Sequence, residues 1–460
     1  MITLKTPIIP TETTIAKVEG NHDLDLEAIC LFIAFGFFFD TDTYWKDEKV
    51  LSPGSIHTLN KINHIVSSEK WFNWHYSPRE LKFNEALEEF TELFERIVWE
   101  QTENKRVILP ISGGLDSRTL AVALRNHPNV ASYSYEFQNG YPETKIARQI
   151  AKACQFPFTS LTVPKGYLWN CIEELAEINQ CYSEFTHPRQ MAFINEFKGM
   201  GNLFSLGHMG DLMFDSFGFQ QLSVDKEVEV LTKLLLKKGG AELASSLWKI
   251  WGLKGDFKDY YSTRIKSLLE EIDIKETNPK IRAFKTHYYV SRWSSNNLSV
   301  FKSIHPVSLP YFDDNMCEFI CTVPEKYLAN RQLQIAYIKQ IAPDLAKITW
   351  QGQKPFNLNS YHLNKSPFNL PYRASNKIKR ILKESIGKPY VSRNWELQFL
   401  GKENDTHLRK WLFESNLKGL VPIKLIEQFY TNFKQKETLV YSHPVSMLLT
   451  LALFQQKINY

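Results

Sequence analysis

Six consecutive residues, Ser112-Gly113-Gly114-Leu115-Asp116-Ser117, have the types and spacing to do chemistry. Two adjacent glycines let a backbone turn tightly and approach a ligand. Their N–H groups, the hydroxyls of Ser112 and Ser117 and the first turn of a following helix form a cradle for an anion such as pyrophosphate. An aspartate inside an anion site repels the ligand unless a cation stands between them, so Asp116 implies Mg²⁺ shared by carboxylate and phosphate oxygens. ATP is the ligand that meets both conditions. The plainer account of the same letters is a glycine turn closed by an N-capping aspartate. Context separates the two, because Arg106 to Ile111 reads as a short apolar strand and Ser117 to Asn126 as a helix, the setting a phosphate-binding loop requires. No Walker A lysine follows the glycines, and neither G-x-S-x-G nor H-E-x-x-H occurs, which removes support from kinase-like, hydrolase-elbow and zinc-protease readings.

The elements that must position this loop are legible from periodicity. Residues 82–104 place Phe83, Ala86, Leu87, Phe90, Leu93, Phe94 and Val98 at helical spacing and predict an amphipathic helix. Residues 130–137 and 158–163 read as strands separated by a helix over 143–155, and strand and helix alternating at this spacing argue for parallel βαβ units. Asn202 to Leu206 reads as a further short strand. Beyond about residue 165 helices dominate, with 220–280 a helical insertion whose charges form a solvated face. The run Lys377, Lys379, Arg380 and Lys383 takes the same solvated reading. At the N-terminus, Ala28 to Phe39 is a buried helix or strand, Pro53-Gly54 a turn, and Ser55–Leu59 and Trp71–Tyr76 show strand-like alternation. The fold class is α/β, a parallel-sheet domain with appended helices, preceded by a small α+β part.

With 460 residues, 43% of them hydrophobic and 23% charged, the chain supports roughly two to three globular domains. A net charge of +5 is too thin for a nucleic-acid footprint. The apolar run of 12 residues falls short of the roughly 20 that span a bilayer, and no signal-peptide core precedes it. Six scattered cysteines without metal-ligand spacing read as reduced thiols in a cytoplasmic protein.

Taken together, SGGLDS resembles the PP-loop of ATP pyrophosphatase-type enzymes, and the chain is most similar to the asparagine synthetase family, which includes β-lactam-forming synthetases. Gly207-His208-Met209-Gly210-Asp211 sits where that family has G-E-G-x-D, and Pro310-Tyr311-Phe312-Asp313 resembles its P-F-L-D, with Arg292 as the arginine ahead of it. Trp350-Gln351-Gly352-Gln353-Lys354 resembles the stretch with the catalytic lysine, and Thr43 to Gly54 the end of a glutaminase domain. The resemblance implies a vestigial class II glutaminase-like domain over 1–80 and a synthetase domain over 81–460. It implies ATP and Mg²⁺ as cofactors, with Asp116 and Asp211 as metal ligands. Ser112, Gly113, Gly114, Leu115, Asp116, Ser117 and Gly207 would contact nucleotide, and Lys354 would neutralise charge at the α-phosphate. The implied reaction is adenylation of a carboxylate followed by transfer to nitrogen, with Asp116, Lys354 and His208 at the reacting centre.

Three departures bound the analogy. Position 2 is Ile2 and the first cysteine, Cys30, lies in the apolar run, so glutamine hydrolysis is not expected and nitrogen must come from ammonia, an amine, or a separate glutaminase or pathway partner. His208 replaces the family's glutamate and stands equally as general base or as structural group. Pro306, Val307 and Ser308 stand where the family has E-x-R, which weakens the case for aspartate as the acyl substrate. Phe214 to Phe219, in place of the usual glycines, would narrow the acyl pocket toward a larger or less polar carboxylate. No membrane or nucleic-acid partner is expected, and a homodimer is compatible with the pattern. The competing readings are a tRNA-modifying PP-loop ligase and an ATP-binding partner without turnover.

Overall fold

A computed structural model describes residues 1–458. Its centre is a five-stranded, wholly parallel sheet in the order β10-β9-β6-β7-β8, formed by β6 (Val107–Pro110), β7 (Val130–Phe137), β8 (Phe158–Val163), β9 (Leu203–Ser205) and β10 (Val307–Ser308). Helices cover both faces, which is why Val107, Ile108 and Leu109 read as a continuous apolar run rather than an alternation. The chain leaves β6 toward β7 and β8 through helices Asp116–Ala123 and Thr144–Ala153, then returns to lay β9 on the other side of β6. The order therefore reverses between β6 and β9, and the crevice beyond their carboxyl ends is where ligands bind in open α/β sheets. The loops leaving those two strands are the two glycine-containing loops.

Helix Phe83–Thr102 forms as its periodicity predicts. Ala86, Leu87, Phe90, Phe94, Ile97 and Val98 are buried, and the Glu85 carboxylate accepts from the Lys82 N–H at 2.8 Å to close the first turn. The 220–280 region holds helices Val224–Leu235, Gly240–Ile250 and Phe257–Glu270.

The N-terminal residues form a three-stranded antiparallel sheet of β1 (Ile2–Lys5), β4 (Ser55–Leu59) and β5 (Ile65–Lys70), and a two-stranded pair of β2 (Ile15–Lys17) and β3 (Glu48–Val50). The apolar run is a helix, Leu26–Phe35, buried from Ala28 onward. Its aromatic tail packs into the core of the rest of the chain. Phe35 and Phe37 meet Tyr261 and Tyr289, while Tyr44 stacks on Phe454 at 3.7 Å and donates to the Cys181 carbonyl at 2.6 Å. Residues 1–80 thus share one hydrophobic core with the parallel-sheet unit. The segment Trp71–Tyr76 is not the strand its alternation suggests. The ladder ends at Lys70, the Trp71 and Phe72 N–H groups both donate to the Gly54 carbonyl, and Phe72 and Trp74 are buried individually instead of through a sheet face.

Arg292 ties the N-terminal residues to the rest of the chain. It lies in a π-helical stretch, Lys285–Ser294, and its guanidinium donates to the backbone carbonyls of Asp40 and Asp42, the latter at 2.8 Å. It joins the N-terminal segment to the parallel-sheet unit. Arg292→Ala leaves two buried carbonyls unpaired and opens a cavity, so urea denaturation should show a loss of about 2–4 kcal/mol.

Candidate active site

After β6 the backbone turns through Ser112 to Ser117, and the loop is stitched to itself. The Ser112 N–H donates to Ser117 Oγ at 2.9 Å, the two hydroxyls lie 3.0 Å apart, and the Gly114 N–H donates to Ser112 Oγ at 3.1 Å. Gln351 completes the loop from outside. Its Oε1 accepts from the Gly113 N–H at 3.0 Å while its own N–H donates to the Gly113 carbonyl at 2.9 Å. A Cβ at Gly113 would meet Gln351 Oε1 at 2.5 Å and Gln351 Cβ at 2.7 Å, so glycine is required for this docking. Leu115 is buried in the core and anchors the loop by its side chain.

Asp116, the first residue of its helix, has the most constrained side chain here. Oδ1 accepts from the Arg331 guanidinium and from Gln334 Nε2 at 3.2 Å, and Gln334 Nε2 also donates to the Tyr311 hydroxyl at 2.8 Å. Arg331 Nε in turn donates to Gln334 Oε1 at 2.7 Å. Asn330 and Arg331 reach this position with φ of 57° and 62°, left-handed values that L residues adopt at some cost. Burial pushes the Asp116 carboxyl above the ordinary carboxylate range, Arg331 opposes that, and the nearby charge of Asp211 reinforces it. The second loop closes over the same atoms. A Cβ on Gly207 would lie 3.0 Å from the Asp116 backbone carbon, and one on Gly210 would overlap the Asp116 carboxylate itself. Met209, at φ 63°, turns the loop so that Asp211 sits in the first turn of the helix Gly210–Met213.

Two acidic side chains held this close, one desolvated, are a donor set suited to a hard divalent cation. Glycines at 207 and 210 let the second loop's backbone approach the Asp116 carboxylate directly. Asp116 and Asp211 would hold Mg²⁺, with Arg331 its cationic competitor at Asp116.

The loops open onto a cleft of about 420 Å³ lined by Ser112, Tyr135, Glu136, Glu143, Arg189, His208, Phe301, Gln351 and Ser392. His208 faces this space with its ring edge-on to Phe301 at 6.0 Å, and burial holds its imidazole down at about 4, so it is neutral at pH 7. Lys354 follows the short turn Gln351–Gln353, half-buried, and its charge acts on Glu143, lowering a carboxyl that burial raises. Phe214 does not narrow an acyl pocket. It is core, packed on Phe90 at 4.9 Å and Tyr311 at 5.7 Å. Phe217 and Phe219 are stacked and half-buried, and the Lys285 ammonium lies 5.1 Å from the Phe217 ring and is coupled to Asp211.

A family model, asparagine synthase, matches residues 89–344, more than half of the chain. The chain belongs to the asparagine synthase family. Among curated proteins, none matches it. The matched range begins within the first buried helix of the parallel-sheet unit and takes in both glycine loops, the Pro310–Asp313 segment, Arg331 and Gln334. Asparagine synthases are ATP-dependent amide-forming ligases, and an α/β sheet with its phosphate loop at the switch point is the architecture such chemistry uses.

Sequence reasoning missed Arg331, Gln334 and Arg118. Arg118 is buried one turn into the helix after the loop. It donates to the carbonyls of Gly113, Leu345, Ile348 and Thr349, at 2.8 Å for Thr349, and so fixes the approach of the segment that carries Gln351 and Lys354. Nothing in the local letters around these three residues departs from an ordinary helical face.

His187, His208 and His443 are all held down at about 4, and His287 at about 3, by burial. The folded chain keeps them neutral while the unfolded chain takes up protons near 6.5, so stability present above pH 6.5 is lost as pH falls toward 4. Urea midpoints measured from pH 7.5 to 4.5 should fall through that window, by about 1.4 kcal/mol per pH unit for each histidine concerned.

Proposed function

We propose that the protein is an AMP-forming carbon–nitrogen ligase. It adenylates a small-molecule carboxylate with release of pyrophosphate, then passes the acyl group to ammonia or an amine. What carries the reading is the meeting of two aspartate loops at the sheet's switch point, with Gln351 bonded to Gly113 so that the Lys354 segment lies against the phosphate loop. The loop N–H groups and the hydroxyls of Ser112 and Ser117 bind the pyrophosphate end of ATP once Gln351 releases Gly113. Asp116 and Asp211 would hold Mg²⁺, which would supply charge neutralisation between phosphates. Lys354 places a mobile cation where negative charge grows on the departing pyrophosphate. His208, neutral at pH 7 and open to the cleft, accepts a proton from the attacking nitrogen, although its depressed basicity makes it a weak acceptor.

Exchange of labelled pyrophosphate into ATP, screened across candidate acids, tests the first half-reaction. Asp116→Ala and Lys354→Ala should each lower that exchange by about 100-fold or more, and exchange unchanged in either variant means its assigned role is wrong.

In this reading the chain does not itself hydrolyse glutamine, and the nitrogen comes from ammonia, an amine or a separate glutaminase. Cys30 lies inside the helix Leu26–Phe35, its Sγ is 3.7 Å from the Ala244 carbonyl, and burial beside Glu27 raises its thiol far above the reactive range. Glutamate release from glutamine should stay at background with ATP and the acid present, whereas ammonium or an amine should support amide formation. Glutamine hydrolysis abolished by Cys30→Ala would overturn this.

A further inference from the structure

Helix Leu370–Ser385 has no buried residue. It carries Leu370, Ile378, Ile381 and Leu382, and with Phe368 before it and Ile386 after it these side chains are 49% to 65% exposed. At 100° per residue the helical four fall within one third of the circumference. Arg373, Lys377, Lys379, Arg380 and Lys383 occupy the remainder. Over residues 370–388 these five and Lys388 face one acid, Glu384, a surplus of five that equals the net +5 of the entire chain. The charge is therefore concentrated on one element, and the expectation of an ordinary solvated face does not account for the apolar side chains opposite it.

In proteins most helical stability comes from a packed apolar face rather than from propensity, and this helix of 16 residues has none in the structure. Among the described residues the polar side of the helix makes only peripheral contacts, an Arg380–Glu384 pair at 3.7 Å and Lys383 over the Tyr390 ring at 5.1 Å. Aliphatic residues in one unbroken stripe, bordered by cations and bearing no aromatic or arginine anchor inside the stripe, match an anionic lipid surface better than a protein groove, whose binding concentrates in such anchors.

We propose that this helix docks the protein on an anionic lipid surface, with the aliphatic stripe in the acyl boundary and the basic residues at the headgroups. The segment is tied to the cleft at both ends. Gln351 before it and Ser392 after it line the cleft, and Tyr390 stacks on Tyr141 at 4.5 Å while Val391 bridges to Gly140. Docking thus sets the cleft mouth near the membrane, within reach of a carboxylate carried at that surface.

Co-sedimentation of the full chain with vesicles tests this. Binding to phosphatidylglycerol-containing vesicles should exceed binding to pure phosphatidylcholine by more than about tenfold and weaken with salt. The double variant Ile378→Asp with Leu382→Asp should lose more than about tenfold of it, as should Lys379→Glu with Lys383→Glu. Ile378, Lys379 and Leu382 are exposed and Lys383 is half-buried only against the Tyr390 ring, so circular dichroism and thermal melting should match the parent. No binding to anionic vesicles overturns the proposal. So does binding unmoved by the aspartate pair, which would be charge alone. Sedimentation equilibrium showing a lipid-free dimer that the aspartate pair dissociates also overturns it, because the face would then cover a second copy. Vesicle binding is independent of nucleotide chemistry, so failure of pyrophosphate exchange leaves it standing and the converse holds too.

Discussion

The carboxylate of Asp116 is the constraint around which the site is built. It is desolvated at the start of a helix, and a buried ionised carboxylate persists only with partners. The partners come from distant parts of the chain, Arg331 and Gln334 from the helix region beyond 330 and Tyr311 through Gln334, while the like charge of Asp211 on the second loop works against ionisation. Each must arrive at a fixed place, and the fold supplies the means. Placing β9 beside β6 brings the 207–211 loop to the end of the phosphate loop, and glycines at 207 and 210 let its backbone reach the Asp116 side chain. A side chain at either position would push the second aspartate away.

Arg331 makes the arrangement two-sided. A guanidinium and a divalent cation both neutralise Asp116, and both cannot occupy Oδ1 at full strength. Without metal, Arg331 stabilises a charge that would otherwise be isolated in a low dielectric. A divalent cation at Asp116 would compete with Arg331 for the same carboxylate oxygen. Gln351 has the same character on the neutral side of the loop, since it satisfies the Gly113 N–H that a phosphate would otherwise take. Ligand binding at this site is an exchange of partners, so its net energy is smaller than a count of new contacts suggests.

Much of this was legible in the sequence because it rests on local signals. The strand over 130–137, the helix near 83–102 and the phosphate loop between strand and helix all follow from periodicity and glycine placement. Asp116, Asp211, His208 and Lys354 were visible through motif letters, and the structure brings all four to one end of one sheet. What stayed hidden depends on long-range contact. Arg331, Gln334 and Arg118 are polar residues on helices whose letters look solvated, and only tertiary packing turns them inward. Phe214 failed for the same reason: an aromatic near a motif looks like a pocket wall, but Phe90 and Tyr311 had already claimed its face. Trp71–Tyr76 alternates like a strand, yet its Phe72 and Trp74 rings are buried one by one with no partner strand beside them.

The N-terminal residues bear on the nitrogen source through packing alone. A glutaminase must present a nucleophile to solvent and a channel toward the synthetase site. Here the first cysteine is sealed in helix Leu26–Phe35, and the aromatic tail of that helix fills the contact with the synthetase core. Phe37 lies against Tyr289 and Tyr44 against Phe454. Arg292 then spends its guanidinium on the carbonyls of Asp40 and Asp42 in the same seam. Stripping out these rings to open a passage would expose several large side chains, each worth about 2–3 kcal/mol on burial. The segment is part of the hydrophobic core it shares with the parallel-sheet unit, and its aromatic content follows from that role.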